Sequence, residues 1–215
     1  MKKILVMPVK NEGWILRQTL TCASLWFDHI IIADQGSTDD TASICREFPR
    51  VILIDNPLPA YDEGPRRQLL LDAARQFDGN NLIFALDADE VLSADALDNP
   101  EFNKDLGSLL PGQSLSLPWI QLWGDAEHYN TAYPWGNSRG AFAYCDDRKL
   151  SFGDGRILCS RSPEASLKSN VSTDNARVLH FQFVDTPRMM SKQAYYRIFE
   201  RLELKKSVPS INWKY

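Results

Sequence analysis

Apolar residues fall into short, nearly unbroken runs over the first ninety positions, each ended by a polar cluster. KILVMPV (3–9), HIIIAD (29–34), VILID (51–55) and NLIFAL (81–86) have strand length and no polar alternation. Such runs suit strands that are covered on both faces. The stretches between them follow a different period. WILRQTLTCASLW sets Trp14, Ile15, Leu20, Ala23 and Leu25 along an amphipathic helix. GSTDDTASICREF offers Ser37, Thr38 or Asp39 as the cap of a second helix, and residues 63–77 read as a third.

Strand and helix in alternation predict an α/β fold: a Rossmann-like, mostly parallel sheet with helices on both faces. In such sheets ligands sit beyond the carboxyl ends of the strands. The polar clusters occur there: Lys10, Asn11 and Glu12 after the first strand, Asp34 and Gln35 after the second, Asp87, Ala88 and Asp89 after the fourth. One cleft is expected to gather all three. After Ser93 the pattern becomes more irregular. A helix is expected over 95–110, strands at SLSLPWIQLW, AFAYC and RVLHFQFV, a long aromatic loop over 124–140, and a basic-tipped helix from Thr186. There is no internal repeat and no low-complexity linker. Residues 1–215 therefore read as a single domain, with a nucleotide-binding half (1–93) and a looser second half (94–215).

Composition adds exclusions. A hydrophobic share of 44% and a charged share of 24% are ordinary for a globular protein. The net charge of −4 lacks the basic surplus of a nucleic-acid binder, so no nucleic-acid partner is expected. Cys22, Cys45, Cys145 and Cys159 form no CxxC pair and read as reduced thiols. The N-terminal MKKILVMPVKNEG has two lysines before an apolar run, but that run stops at Lys10, too early for a signal-peptide core. No segment approaches the roughly 20 apolar residues that span a bilayer. A cytoplasmic location is expected.

The stretch NLIFALDADEVLS places Asp87, Asp89 and Glu90 directly behind a buried-type strand. In an extended segment Asp87 and Asp89 share a face and Ala88 points the other way. Two carboxylates so placed suit Mg²⁺ or Mn²⁺, with diphosphate oxygens completing the coordination. The plainer reading is an acidic turn that opens a helix near Ser93.

The order of PVKNE, IIIADQGSTDDT, an Arg-bearing helix and LDADE resembles glycosyltransferase family 2 with its GT-A fold. The motifs are Asn11-Glu12, the D-x-G-S-T-D-x-T turn from Asp34 to Thr41, Arg67 with Gln68 and Ala74, and Asp87-Ala88-Asp89 as an LDADE version of the DXD motif. They cover the first half well and the second only loosely. The resemblance implies a nucleotide-sugar donor, a saccharide or lipid-linked acceptor, and bound Mn²⁺ or Mg²⁺. It implies that Pro8, Asn11 and Glu12 line the nucleoside pocket with Asp34 and Gln35, and that Arg67 approaches base or phosphates. Asp89 would hold the metal and Asp87 the ribose or metal-bound water. Gln35 stands where many members carry Asp, which weakens any assignment of uracil as the base. Glu12 also reads as a helix N-terminal charge, and Arg67 as a surface residue beside Arg66.

In the second half, His180 is either a packed core histidine or, as the resemblance implies, a further metal ligand. An inverting transfer needs a carboxylate base. Asp154 in SFGDGR is the first candidate, with Asp146 and Asp147 as alternatives and Asp125 and Glu127 also in view. A retaining course stays open. Trp119, Trp123, Tyr129, Tyr133 and Trp135 are read as a sugar platform or as a packed lid. Lys192, Arg197, Arg201, Lys205 and Lys206 are read as a solvated helix face or as a peripheral contact with an anionic membrane. Two rival functions remain: a nucleotidyltransferase, although PVKNEG lacks the usual Gly-rich loop, and a non-catalytic nucleotide-sugar-binding module.

Overall fold

Along the first strand, β1 (Lys3–Val9), successive side chains point to opposite faces, and both faces are apolar. Leu5, Met7 and Val9 join one core with Leu16, Leu20, Trp26, Phe27, Phe84 and Phe102. Ile4 and Val6 join a second with Ile31, Leu70, Leu71, Ile83 and Tyr144. A strand buried on both sides needs helices on both sides. The computed structural model, which describes residues 1–58, 62–133, 135–155 and 159–214, supplies them.

β1 leads into α1 (Gly13–Trp26), β2 (His29–Asp34), α2 (Thr41–Arg46), β3 (Val51–Asp55), α3 (Glu63–Ala74) and β4 (Leu82–Ala85). The sequence expectation of four strands with intervening helices holds in this half. Helix α1 buries Ile15, Leu16, Leu20, Ala23 and Trp26, while Leu25, expected on the same face, is exposed. The chain continues through β5 (Glu90–Leu92), α4 (Pro100–Ser108), β6 (Ser114–Trp123), β7 (Arg139–Cys145), α5 (Glu164–Leu167), β8 (Val171–Ser172), β9 (Val178–Phe183), α6 (Thr186–Leu202) and α7 (Val208–Lys214).

The strands form one sheet in the order β3-β2-β1-β4-β7-β6-β9-β5, with β8 on β6. β1 pairs in parallel with β2 and with β4, and β2 with β3. Strand order reverses between β1 and β4, and the carboxyl ends on either side of such a reversal frame a crevice. Beyond β4 the sheet turns antiparallel through β7 and β6. β9 then runs parallel to β6 and carries the short β5, in register Glu90↔His180.

That last pairing corrects the helix-opening reading of DADE. The chain makes a tight turn at Ala88 and Asp89 and re-enters the sheet as β5, so Asp87 and Asp89 sit on a turn rather than in an extended segment. The amide of Glu90 donates to the Asp87 carbonyl at 3.0 Å, and the Thr19 hydroxyl on α1 donates to the Ala88 carbonyl at 2.6 Å. Among the described residues, no helix is long and apolar enough to cross a membrane. The four cysteines are free thiols.

Candidate functional site

The loop after β1 turns sharply into α1 because Asn11 adopts a left-handed backbone (φ 56°), which Asn tolerates better than most residues. The D-x-G-S-T-D turn holds it in place. Asn11 N–H donates to Ser37 Oγ and Thr38 N–H donates to Asn11 Oδ1, both at 2.8 Å. Gly36, with φ 68°, allows that turn. Asp34 is used up within it, its carboxylate accepting from the N–H and hydroxyl of Ser37. Asp39 accepts from the amides of Gly13 and Thr41, so the two loops form one rim.

Beyond the ends of β1, β2 and β4 lies a cleft of about 980 Å³. Pro8, Asn11, Glu12, Gln35, Asp87 and Asp89 border it, so the three polar clusters do converge. Its opposite wall is α6, through Arg188, Lys192, Tyr195, Tyr196 and Phe199. Glu12 Oε2 accepts from Trp14 Nε1 at 2.8 Å and from Arg188 at 2.6 Å. Burial, then the Asp89 charge, raises the Glu12 carboxyl above its ordinary value, against the pull of Arg188.

Asp89 is the focus of the cleft. Its Oδ2 lies 3.4 Å from Lys192 Nζ and 3.5 Å from His180 Nε2. Burial would raise this carboxyl, but Lys192 and His180 outweigh it and hold Asp89 well below the carboxylate range. The His180 ring stacks on Trp119 at 5.0 Å, and its Nδ1 donates to Gln121 Oε1 at 2.7 Å. With Nδ1 so engaged, Nε2 is the nitrogen that faces Asp89.

Asp87 and Glu90 face inward to Arg161. Its Nη2 lies 2.6 Å from Asp87 Oδ2 and 2.5 Å from Glu90 Oε1, and the guanidinium rests over the Trp119 and Phe142 rings. Burial acts to raise Asp87, yet Arg161 and Arg67 bring its pKa down. Glu90 is 0% exposed, and burial pushes its pKa up despite Arg161. The acidic strand end is therefore not a bare patch of charge.

A divalent ion of the Mn²⁺ or Mg²⁺ type would find two protein ligands at most here. No group of three or more His, Cys, Asp or Glu is set to hold a metal among the described residues. Asp89 and His180 would be the protein's two ligands, and such ions commonly take their remaining ligands from phosphate and water. The Gln121 contact is the orienting second hydrogen bond that a ligating imidazole has.

The structure places several of the expected residues elsewhere than the cleft wall or in another direction. Asp34 does not border the cleft. Arg67 is buried behind it, 3.9 Å from Asp87, rather than at the surface, and Arg66 reaches the wall instead. Asp146 binds Arg75 through both oxygens and accompanies Asn81, at the opposite end of β4 from Asp87. Asp147 caps its own loop there, accepting from Lys149 and Leu150 amides. Asp154 is exposed and outside the cleft wall, in a segment held against α3 by Gly64 N–H donating to Gly155 O at 2.9 Å. Asp125 binds His128 within an exposed loop. Lys192 points into the cleft rather than to solvent or a membrane. Arg161, Gln121 and Arg188 were not legible as site residues. Arg188 and Lys192 did carry a signal: with Tyr195, Tyr196 and Phe199 they share one helical face.

Residues 4–99, a little under half of the chain, match the family described as Glycosyl transferase family 2. Among curated proteins none matches. Among solved structures, S. aureus TarS is similar with a TM-score of 0.59 at 11% identity, over 94% of this chain and 40% of that one. The chain thus spans well under half of that protein's length. A mycobacterial protein aligns at TM-score 0.46 and 14% identity, over 83% of this chain and 65% of its own. Glucosyl-3-phosphoglycerate synthase from Mycobacterium tuberculosis gives 0.38 and 16%, over 56% and 44%. The chain has a GT-A fold, and its residues 4–99 carry the sequence pattern of glycosyl transferase family 2.

Proposed function

We propose that the protein is a glycosyltransferase that moves a hexose-like sugar from a nucleotide donor to a hydroxyl of a saccharide or lipid-linked acceptor, with inversion and with Mn²⁺ or Mg²⁺. The observation that carries this reading is the convergence of Glu12, Gln35, Asp87 and Asp89 on one cleft at the strand-order reversal. A divalent ion held by Asp89 and His180 would supply positive charge against the departing nucleoside diphosphate. The chain's own residues position the rest. Pro8, Tyr195, Tyr196 and Phe199 offer apolar surface to a base, beside Gln35, whose Nε2 donates to the Leu58 carbonyl at 3.1 Å. Trp119 stacks on His180, and Trp123 stacks on Phe183 at 4.7 Å with an interplanar angle of 24°. Trp119 is closed off between His180 and the Arg161 guanidinium, so the exposed Trp123 is the ring offered to a saccharide acceptor.

Incubation with UDP-, GDP-, CDP- and dTDP-sugars and Mn²⁺, with chromatographic detection of the released nucleoside diphosphate, tests this reading. One nucleotide class is expected to be consumed, slowly with water alone and faster when mixed glycan acceptors are added. Release no greater than from heat-denatured protein, for every donor and acceptor, would reject the proposal.

A further inference from the structure

Helix α6 closes the cleft with little help from the core. Of its seventeen residues only Glu200 is buried. Its first turns are tied to the cleft by charge: Arg188 to Glu12 at 2.6 Å and to the Asn11 carbonyl at 2.7 Å, and Lys192 to Asp89 at 3.4 Å. The ion pairs around Asp89 and Arg161 match in number: four carboxylates, Glu12, Asp87, Asp89 and Glu90, face four cations, Arg67, Arg161, Arg188 and Lys192, while Lys10, Asp62, Glu63, Arg66 and Glu203 also border the cleft. A nucleotide sugar brings a diphosphate with two negative charges, and a divalent ion brings two positive ones. The two together preserve that match, whereas either alone upsets it in a buried place where unpaired charge is costly.

Lys192 stands on the oxygen a divalent ion would need. We infer that Lys192 is a donor-binding residue that changes partner: it holds Asp89 before the donor enters, then cedes that oxygen to the divalent ion and pairs with the diphosphate. This rests on the donor-site reading above and adds a coupling to it. Metal alone must displace an ammonium, and nucleotide alone must break an ion pair, so each raises the other's affinity by the same factor.

Mn²⁺ binding, followed by the electron paramagnetic resonance of the free ion, reads this coupling without any turnover. Wild type, Lys192→Met and Lys192→Arg are titrated alone and with UDP, GDP, CDP or dTDP. Without nucleotide, Lys192→Met is expected to bind Mn²⁺ about tenfold more tightly than wild type, within the usual range of coupling energies. With Mn²⁺ present it is expected to bind the preferred nucleotide about tenfold more weakly. Lys192→Arg, which keeps the charge, is expected to follow wild type in both. If wild type takes up Mn²⁺ with a nucleotide but Lys192→Met shows unchanged affinity for Mn²⁺ alone, the exchange is wrong and the donor-site reading stands. If no protein binds Mn²⁺ with any nucleotide, both fall together.

Discussion

Replacing Asp89 by asparagine is expected to lower sugar transfer by about 10³-fold while leaving the fold intact. Asparagine keeps the shape and one acceptor oxygen, so Lys192 retains a hydrogen-bonding partner, but the negative charge is gone. Without it the proposed divalent ion loses its carboxylate ligand, and Lys192 loses the charge that positions it. Transition-state charge stabilisation of this kind is worth about 4 kcal/mol, and each 1.36 kcal/mol is tenfold in rate. The measurement is kcat/KM with the preferred donor, alongside circular dichroism to confirm folding. A folded Asp89→Asn protein within tenfold of wild type would remove Asp89 from the chemistry.

Arg161→Met is expected to act on stability first. Removal of the guanidinium leaves Glu90, 0% exposed, and Asp87 without their shared counter-ion. Breaking a buried ion pair from one side costs about 3–5 kcal/mol, because the remaining charge stays buried. In a chain of this length that lowers Tm by roughly 6–20 °C. The double variant Arg161→Met with Glu90→Gln removes the worst of the unpaired charge and is expected to recover much of the loss. Calorimetric melting of both proteins is decisive: a single variant within 1 °C of wild type, or a double variant no better than the single, would contradict the assigned role.

The parts of the fold that were legible owe this to burial on two faces. KILVMPV and HIIIAD have no polar alternation because α1 covers one face of the sheet and α3 the other. The loops followed from the same pattern, since a buried parallel strand must emerge at its carboxyl end. The irregular half was harder to place. The three residues of β5 are too few to show a period, and only their pairing with β9 brings Asp89 to His180. Arg161 lies in SRSPEAS, where nothing local marks it, and its partners are more than seventy positions away. Asp146 shows the reverse error. It looked like a candidate base because a buried, structurally paired aspartate and a catalytic one are the same letter, and only Arg75 across the sheet end tells them apart. Lys192 was visible as a charge, but its direction depended on where α6 docks.

Titration calorimetry with UDP, GDP, CDP and dTDP, each with and without Mn²⁺, addresses the central claim most directly. If the cleft between β1, β4 and α6 is a nucleotide-sugar donor site, one of the four binds, and Mn²⁺ tightens that binding. If none of them binds, with the ion or without it, the convergence on Asp89 is a structural ion network, and the donor-site account is wrong.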